Sequence, residues 1–360
     1  MRTLVISDLH LGLRSGADVL RRPAAVQALV ARLEGVERLV LLGDVLELRH
    51  GPARDALAVA APALRAMGEA LGPGALDGLL VADFSRVLAG PLATMTLGDL
   101  GADVVKVERP GAGDDTRAWG PPFVEQGSTY YLALNRNKRS VTLDLADAGD
   151  RELARRLALR ADVLVESFRP GLMARWGLDH ATLSQENPRL VTCSVSAFGS
   201  GEAAAALPGY DLLLQAMSGL MSVTGEADGR PLKVGAAVVD MVCGLYAATG
   251  ILAALQARER DGHGQHLEVS LMDSALAALL NQGSAHLLAG ALPGRLGNAH
   301  PSIVPYETYA TADGDLALAV GNDAIFARLC AALGRPGLAG DARYATNAAR
   351  QEHRLSLIHI

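Results

Sequence analysis

The sequence predicts an α/β protein built on a parallel sheet, and three observations carry that expectation. From about residue 79 onward, short β-branched runs (DVVKVE, SVTLDL, DVLVESF and LVTCSVSAF) alternate with helical segments such as Arg151 to Arg160. Strands that alternate with helices close into a parallel sheet covered on both faces. The same alternation opens the chain on a smaller scale, where the apolar runs Thr3 to Ile6 and Arg38 to Leu42 bracket a helical stretch around Ala24 to Leu33, a βαβ unit. Between the two, after an alanine-rich helical stretch from Pro52 to Leu71, the segment LGPGALDG breaks the pattern, since Gly and Pro are the strongest local punctuation. The chain therefore divides into residues 1–73 and residues 74–350, and 360 residues suit two domains of roughly 100–200 each. The last residues, RLSLIHI, stop in mid-pattern and read as a truncated end whose final few residues are foreign to the protein.

Composition excludes several classes. A net charge of −6, with 33 basic residues mixed among 39 acidic ones, leaves no electrostatic footprint for nucleic acid. A phosphate-bearing ligand has to be met by local arginines. The three scattered cysteines, Cys193, Cys243 and Cys330, form no CxxC pair, so neither a disulfide framework nor a zinc site is expected, and a reducing cytoplasm fits. The opening MRTLVISDLHLG lacks the basic and apolar regions of a secretion signal. Ala236 to Leu255 is the most hydrophobic stretch, but Asp240 interrupts it; a carboxylate at a bilayer centre is costly, so a buried core helix is expected and no membrane partner.

In the first piece, Asp8 and His10 (SDLHLG) follow one apolar strand, and Asp44 (LLGDVLEL) follows the other. Parallel strands present the residues at their carboxyl ends to a shared crevice, where carboxylates and an imidazole suit a divalent transition ion. The two motifs resemble those of calcineurin-like metallophosphoesterases, DxH and then GD with another acid close behind, here Glu47. A two-metal site needs more ligands to clamp both the attacking and the leaving oxygens, and the Asn-His motif of that family does not follow. The GNAH of Gly297 to His300 lacks the adjacency, and in GHGQH one residue too many separates His263 from His266, which form a polar turn before HLEVSL. The expectation is an incomplete half-site that holds a divalent metal weakly and turns over nothing.

The second piece is richer. Five blocks occur in order: VADFSRVLAGPLATMTLGDLGADVVKVERPGAGDDTR, NRNKRSVTLDL, ADVLVESFRPGLMARWGL, NPRLVTCSVSAFG, and PGYDLLLQAMSGLMSVTG with GAAVVDMVCGLYAATGILAAL. Over some 250 residues they resemble the family III CoA transferases, the group that includes formyl-CoA and carnitine CoA transferases. The resemblance implies a Rossmann-like CoA transferase body, carrying the start of a smaller domain, behind the βαβ phosphoesterase-like fragment. Coenzyme A carries a diphosphate and a 3′-phosphate, which call for arginine forks or backbone N–H donors. By family position its contacts are Leu88 and Ala89; Arg109, directly after a strand; Leu143, Asp144, Leu145 and Ala146; Ser167, Phe168 and Arg169; and Arg175. Gly209, Tyr210 and Asp211 follow in PGYD, and Asn298, Ala299 and His300 stand where the family's substrate loop lies.

Asp240 lies in an otherwise apolar stretch at an expected helix start, where burying a carboxylate is expensive. Helix N-terminal donors are expected to keep it ionised, as a nucleophile must be. From the residues alone, an N-cap aspartate is an equal reading; the resemblance matches it to the family's catalytic aspartate. The implied reaction is a double displacement through an aspartyl-CoA thioester, between an acyl-CoA and a carboxylic acid, with no ATP and no metal because one thioester is exchanged for another. The α-methylacyl-CoA racemases share the fold and place a histidine where this chain has Tyr210, whose ordinary pKa of about 10 suits proton abstraction poorly. Transfer is favoured over racemisation. Metal-dependent phosphoester hydrolysis by the first piece, and an inactive join of two gene fragments, stand as alternatives. The resemblance also implies an intertwined homodimer when the C-terminus is complete.

Overall fold

The computed structural model describes residues 3–7, 20, 22–34, 36, 38–42, 60–63, 66–67, 74–201, 203–204 and 207–358. Two compact units run over Met1–Val81 with Thr96–Val104, and over Ala82–Met95 with Val105–Ile360.

The first unit opens with the expected βαβ. Strands β1 (Thr3–Ser7) and β2 (Arg38–Leu42) pair in parallel, from Thr3 opposite Arg38 to Ser7 opposite Leu42. Helix α1 (Pro23–Arg32) connects them and has its proline in the first turn, where the missing N–H costs no hydrogen bond. Leu33, Val36 and Met67 form a small buried cluster with Leu29 against it. Asp8, His10, Asp44 and Glu47 lie outside the described residues.

The principal sheet has six strands, which lie side by side in the order His266–Ser270, Val191–Ser196, Val163–Glu166, Leu80–Phe84, Asp103–Glu108 and Lys138–Thr142. In chain order these are β3 (Leu80–Phe84), β4 (Asp103–Glu108), β7 (Lys138–Thr142), β8 (Val163–Glu166), β9 (Val191–Ser196) and β10 (His266–Ser270). A two-residue pair, β5 (Phe123–Val124) and β6 (Gly127–Ser128), stands outside that sheet. β9 runs parallel to β8, with Val191 opposite Val163, and to β10, with Thr192 opposite His266. All four residues of β8 are buried, as an apolar run in a strand covered on both faces should be.

The helices that matter for the cleft are α2 (Ala89–Asp99), α3 (Ala148–Arg160), α4 (Asp211–Met217), α5 (Val238–Asp261) and α6 (Leu271–Ala278). α3 begins at an Asp147 side-chain cap that accepts from Gly149 and Asp150 N–H. α5 is the one helix among the described residues long and apolar enough to cross a membrane. It buries Val239, Cys243, Ala247, Ile251 and Ala254 at spacings of three and four, a stripe that packs on β9 and β10, and it ends at Gly262 in the left-handed conformation. Its buried Arg258 is neutralised by Asp162 at 3.1 Å and donates to the Arg189 carbonyl. The same stripe turns Cys243 toward Cys193 on β9; both thiols are free, buried, and pushed up to about 12, chiefly by loss of water.

Past residue 300, β11 (Tyr306–Ala310) and β12 (Asp315–Ala319) form an antiparallel hairpin. Helix α7 (Asp323–Ala332) adds Phe326 and Cys330 to a core with Val320 and Tyr344. The buried Arg350 guanidinium lies over the Phe326 ring and bonds the Val304 and Tyr344 carbonyls and Asp323.

Candidate active site

A cleft of about 330 Å³ opens at the carboxyl ends of β3, β8 and β9, where ligands bind in open α/β sheets. Its walls are Arg86 to Gly90 after β3, Ser167 to Pro170 after β8, Val195 to Ala197 at the end of β9, and Leu207 to Tyr210, with Asp115, Leu271 and Asp240. Seven of the expected CoA contacts therefore share one cavity with the expected nucleophile: Leu88, Ala89, Ser167, Phe168, Arg169, Gly209 and Tyr210.

Asp240 occupies the first turn of α5 and is 9% exposed. The expectation that N-terminal helix donors hold it ionised is corrected by the structure, because another side chain takes those donors. Asp211 Oδ1 accepts the backbone N–H of Val239 at 2.8 Å and of Asp240 at 3.2 Å. Its other oxygen accepts from Gln215, whose own carbonyl receives Val234 N–H at 2.8 Å. Asp211 thus ties the start of α4 to the start of α5. Among the described residues no hydrogen bond or ion pair reaches the Asp240 carboxylate. Burial first, and then the charge of Asp211, push its carboxyl up to about 7.

Gly244, one turn further along α5, explains how closely the cleft is built. A Cβ there would lie 2.7 Å from the Ala89 carbonyl oxygen, so a side chain at 244 would prise the helix that carries Asp240 from the start of α2. Below the cleft lies a buried ionic cluster. The Asp83 carboxylate accepts from Thr94 Oγ1 at 2.7 Å and from Ser85 N–H at 2.9 Å, and it meets Lys138 Nζ at 3.0 Å. Burial alone would raise its pKa, but Lys138 and Lys106 overcome that and hold it well below the usual carboxylate range. Lys138 also donates to the Pro91 carbonyl at 2.9 Å, which fixes the first turn of α2.

The remaining expected contacts lie outside the cleft walls. Arg109 is held by Asp115, which does line the cleft. Leu143 and Leu145 are buried in the loop after β7, where Leu143 N–H meets the Glu108 carbonyl; Asp144 and Ala146 are exposed there. Arg175 is exposed on the short helix Leu172–Arg175. Asn298 donates to Thr308, and His300 packs on Tyr306 and accepts from Ser302 N–H. Residues 298–300 are not among the walls of the cleft that holds Asp240.

Sequence reasoning missed two residues of the cleft wall, Arg86 and Val87, and a third, Tyr130, that feels its charge. Arg86 pairs with Asp115 at 3.6 Å, lies over the Phe168 ring, and leaves its Nε buried without a partner. Val87 adopts φ 71°. Tyr130 lines a separate pocket with Trp119 and Pro122, and its phenol is pushed up by burial first and then by the charges of Asp240 and Asp211. The first two are neighbours of Leu88 in the quoted VADFSRVLAGP block; Tyr130 carries no motif of its own. Among the described residues no cluster of three or more metal-ligating side chains occurs.

The sequence pattern of CoA-transferase family III matches residues 76–360. The chain is 50% identical over 291 residues to succinate–glutarate CoA-transferase of Agrobacterium fabrum, covering 79% of this chain and 73% of that one. It is 43% identical over 285 residues to succinyl-CoA:glutarate CoA-transferase of Mus musculus, covering 79% and 65%. It is 44% identical to acetyl-CoA:oxalate CoA-transferase of Acetobacter aceti, covering 76% and 70%. Among solved structures, a CAIB/BAIF family protein from Brucella suis superposes with a TM-score of 0.70 at 46% identity, covering 79% of this chain and 76% of that one.

Proposed function

The chain belongs to CoA-transferase family III, so the chemistry its cleft serves is transfer of CoA between an acyl-CoA and a carboxylic acid, and we propose that Asp240 is the nucleophile of that transfer. One observation carries this reading: a buried carboxyl with no hydrogen-bond partner among the described residues, at the foot of a cleft walled by residues 88–89, 167–169 and 209–210. A carboxylate with little solvent and no donor around it is a better nucleophile than a fully hydrated one, and its raised pKa still leaves a large ionised fraction at neutral pH.

In the proposed sequence an Asp240 oxygen attacks the donor thioester carbonyl; the C–S bond breaks, leaving a mixed anhydride and CoA thiolate. The thiolate then attacks the aspartyl carbonyl, expelling the donor acid and forming aspartyl-CoA. The acceptor carboxylate attacks that thioester, releases thiolate once more, and leaves as the new acyl-CoA when the thiolate returns. Positioning and stabilisation of developing oxyanions are the protein's contribution. Arg86 and Arg169 are the cations of the cleft wall; with relatives named for succinate, glutarate and oxalate, we propose dicarboxylic acids as the acid class. Arg109, Arg175, residues 143–146 and residues 298–300 remain proposed contacts for the outer parts of the two substrates. Incubation with a panel of acyl-CoA donors, a hydroxylamine quench and peptide mass spectrometry should place the modification on Asp240; labelling of another carboxylate refutes the assignment.

The pH profile follows from the same carboxyl. Because its folded pKa is raised to about 7, the rate of the first half-reaction should rise with pH through about 7 and level off above it. Asp211→Asn keeps an acceptor for the Val239 and Asp240 N–H groups while removing the neighbouring charge, so the rise should move to lower pH. A profile unchanged by that substitution would separate Asp211 from the titration.

We further propose that a second copy of the chain covers the outer face of α4, α5 and α6. Leu212, Leu213 and Met217, Met241, Leu245 and Tyr246, and Leu276 are all exposed there, a larger apolar surface than isolated surface residues give. Sedimentation should show a dimer that Leu245→Arg converts to monomer; a wild-type monomer at micromolar concentration counts against it. The three free, buried cysteines support a reducing, cytoplasmic location. For residues 1–73 the parallel pairing of β1 and β2, with Ser7 opposite Leu42 directly ahead of the two motifs, supports a phosphoesterase-like remnant that would hold its divalent metal through Asp8, His10 and Asp44.

A further inference from the structure

We propose that Lys106 is a positioning residue for the reaction: it holds the turn at Val87 in a strained conformation that aims the start of α2 at Asp240. Val87 has φ 71°, a left-handed value that a β-branched side chain rarely adopts. Such strain persists only where the surroundings over-determine it, and it concentrates at functional sites. Here the surroundings are identifiable. Lys106, wholly buried on β4, donates to the Ser85 carbonyl at 2.8 Å, two residues before Val87. The same ammonium pairs with Asp114 Oδ2 at 2.9 Å, and that oxygen accepts the Val87 N–H itself at 3.3 Å. Asp114 is fixed from its other side by Thr116, whose N–H and hydroxyl donate to Oδ1 at 2.9 and 2.7 Å. Arg86 N–H, between the two anchors, donates to Ser167 Oγ at 2.9 Å, at the end of β8. The turn is thus gripped at residues 85, 86 and 87, and the first and third grips run through one ammonium.

The residues that follow are those that face the reaction. Leu88, Ala89 and Gly90 share the cleft wall with Asp240, and the first N–H groups of a helix have no partner within it. A hydrophobic side chain would fill the place of Lys106 at less cost in desolvation, because a buried ion pair often contributes no more stability than an apolar replacement. What an apolar residue cannot do is reach the Ser85 carbonyl and Asp114 together. Relaxation of Val87 to negative φ would rotate the peptide planes entering α2 and carry Leu88 and Ala89 away from the thioester. The proposal rests on the reading of Asp240 as nucleophile.

A double-mutant cycle with Lys106→Met and Val87→Gly tests it, because glycine adopts the left-handed conformation without strain. Three quantities are read for each protein: the hydroxylamine-trapping rate at saturating donor, the Kd for free CoA, and the Tm. Lys106→Met should lower the trapping rate about 100-fold, the usual consequence of a misplacement on the ångström scale, while the Kd for CoA moves by less than about 3-fold. In the Val87→Gly background the same substitution should cost about tenfold less in rate, because there is no strain left to hold. An equal loss in both backgrounds, or a trapping rate that only tracks Tm, overturns the positioning role. Where Lys106→Met does not fold, Asp114→Asn removes the shared charge while keeping one acceptor oxygen for the Thr116 N–H and hydroxyl, and the same pattern is required of it. Failure of the unmodified protein to label at all is a different result, which refutes the nucleophile assignment instead.

Discussion

Asp240→Asn should abolish trapping of the acyl intermediate and lower kcat/KM for transfer by about 10⁴-fold or more, the scale on which loss of a covalent nucleophile falls. The amide has the same shape, so CoA binding should survive; a loss of less than about tenfold would move the nucleophile elsewhere. The same substitution should stabilise the folded protein, which separates it from ordinary damage. The wild-type carboxyl titrates near 3.8 when unfolded and at about 7 when folded. An acid whose pKa is raised by folding burdens the native state once pH exceeds the unfolded value, and the burden is complete above the folded one. The gain in Tm from Asp240→Asn should therefore be near zero at pH 4 and largest at pH 8, where on the order of a few kcal/mol is at stake.

The second large effect is expected at Lys138. Lys138→Met strands the wholly buried Asp83 carboxylate beside only Lys106, and removing one partner of a buried pair costs roughly 3–5 kcal/mol. Urea denaturation at pH 7 should show that loss, and Asp83→Asn in the same chain should recover part of it. The pH dependence has the opposite sign to that of Asp240. Asp83 is depressed on folding, so its contribution is present above the unfolded carboxylate value near 3.8 and fades as pH falls toward the folded one. The single substitution should therefore matter least in acid. A loss below about 1 kcal/mol at pH 7 would mean the charge is compensated elsewhere.

The sheet was legible because its strands are short β-branched runs with helical segments between them, and the VLVE of DVLVESF reappears as the fully buried β8. The cleft was legible in part. Leu88 and Ala89 were singled out because they stand in a long ordered block, and Asp240 because a carboxylate in an apolar run also falls where the resembled family has its aspartate. The electrostatics around Asp240 were not legible. Asp211 lies 29 residues earlier, and no local pattern reveals that it takes the helix donors that Asp240 was expected to use. Arg86, Val87 and Tyr130 escaped for a related reason: their roles arise from a ring, a backbone angle and a distant charge that only the folded chain brings together. The hairpin near residue 306 was not anticipated, since YETYA and DLALA alternate too briefly to stand out from loop.

Two sulfur atoms close to Asp240 set how thiol reagents should be interpreted. Cys193 and Cys243 fill the seam between β9 and α5 with thiols that titrate near 12, so at working pH they are almost wholly unreactive toward alkylating agents. Modification of these two thiols by iodoacetamide or maleimide should therefore report how often that seam opens, and a bound acyl-CoA that slows it should do so by quieting that opening.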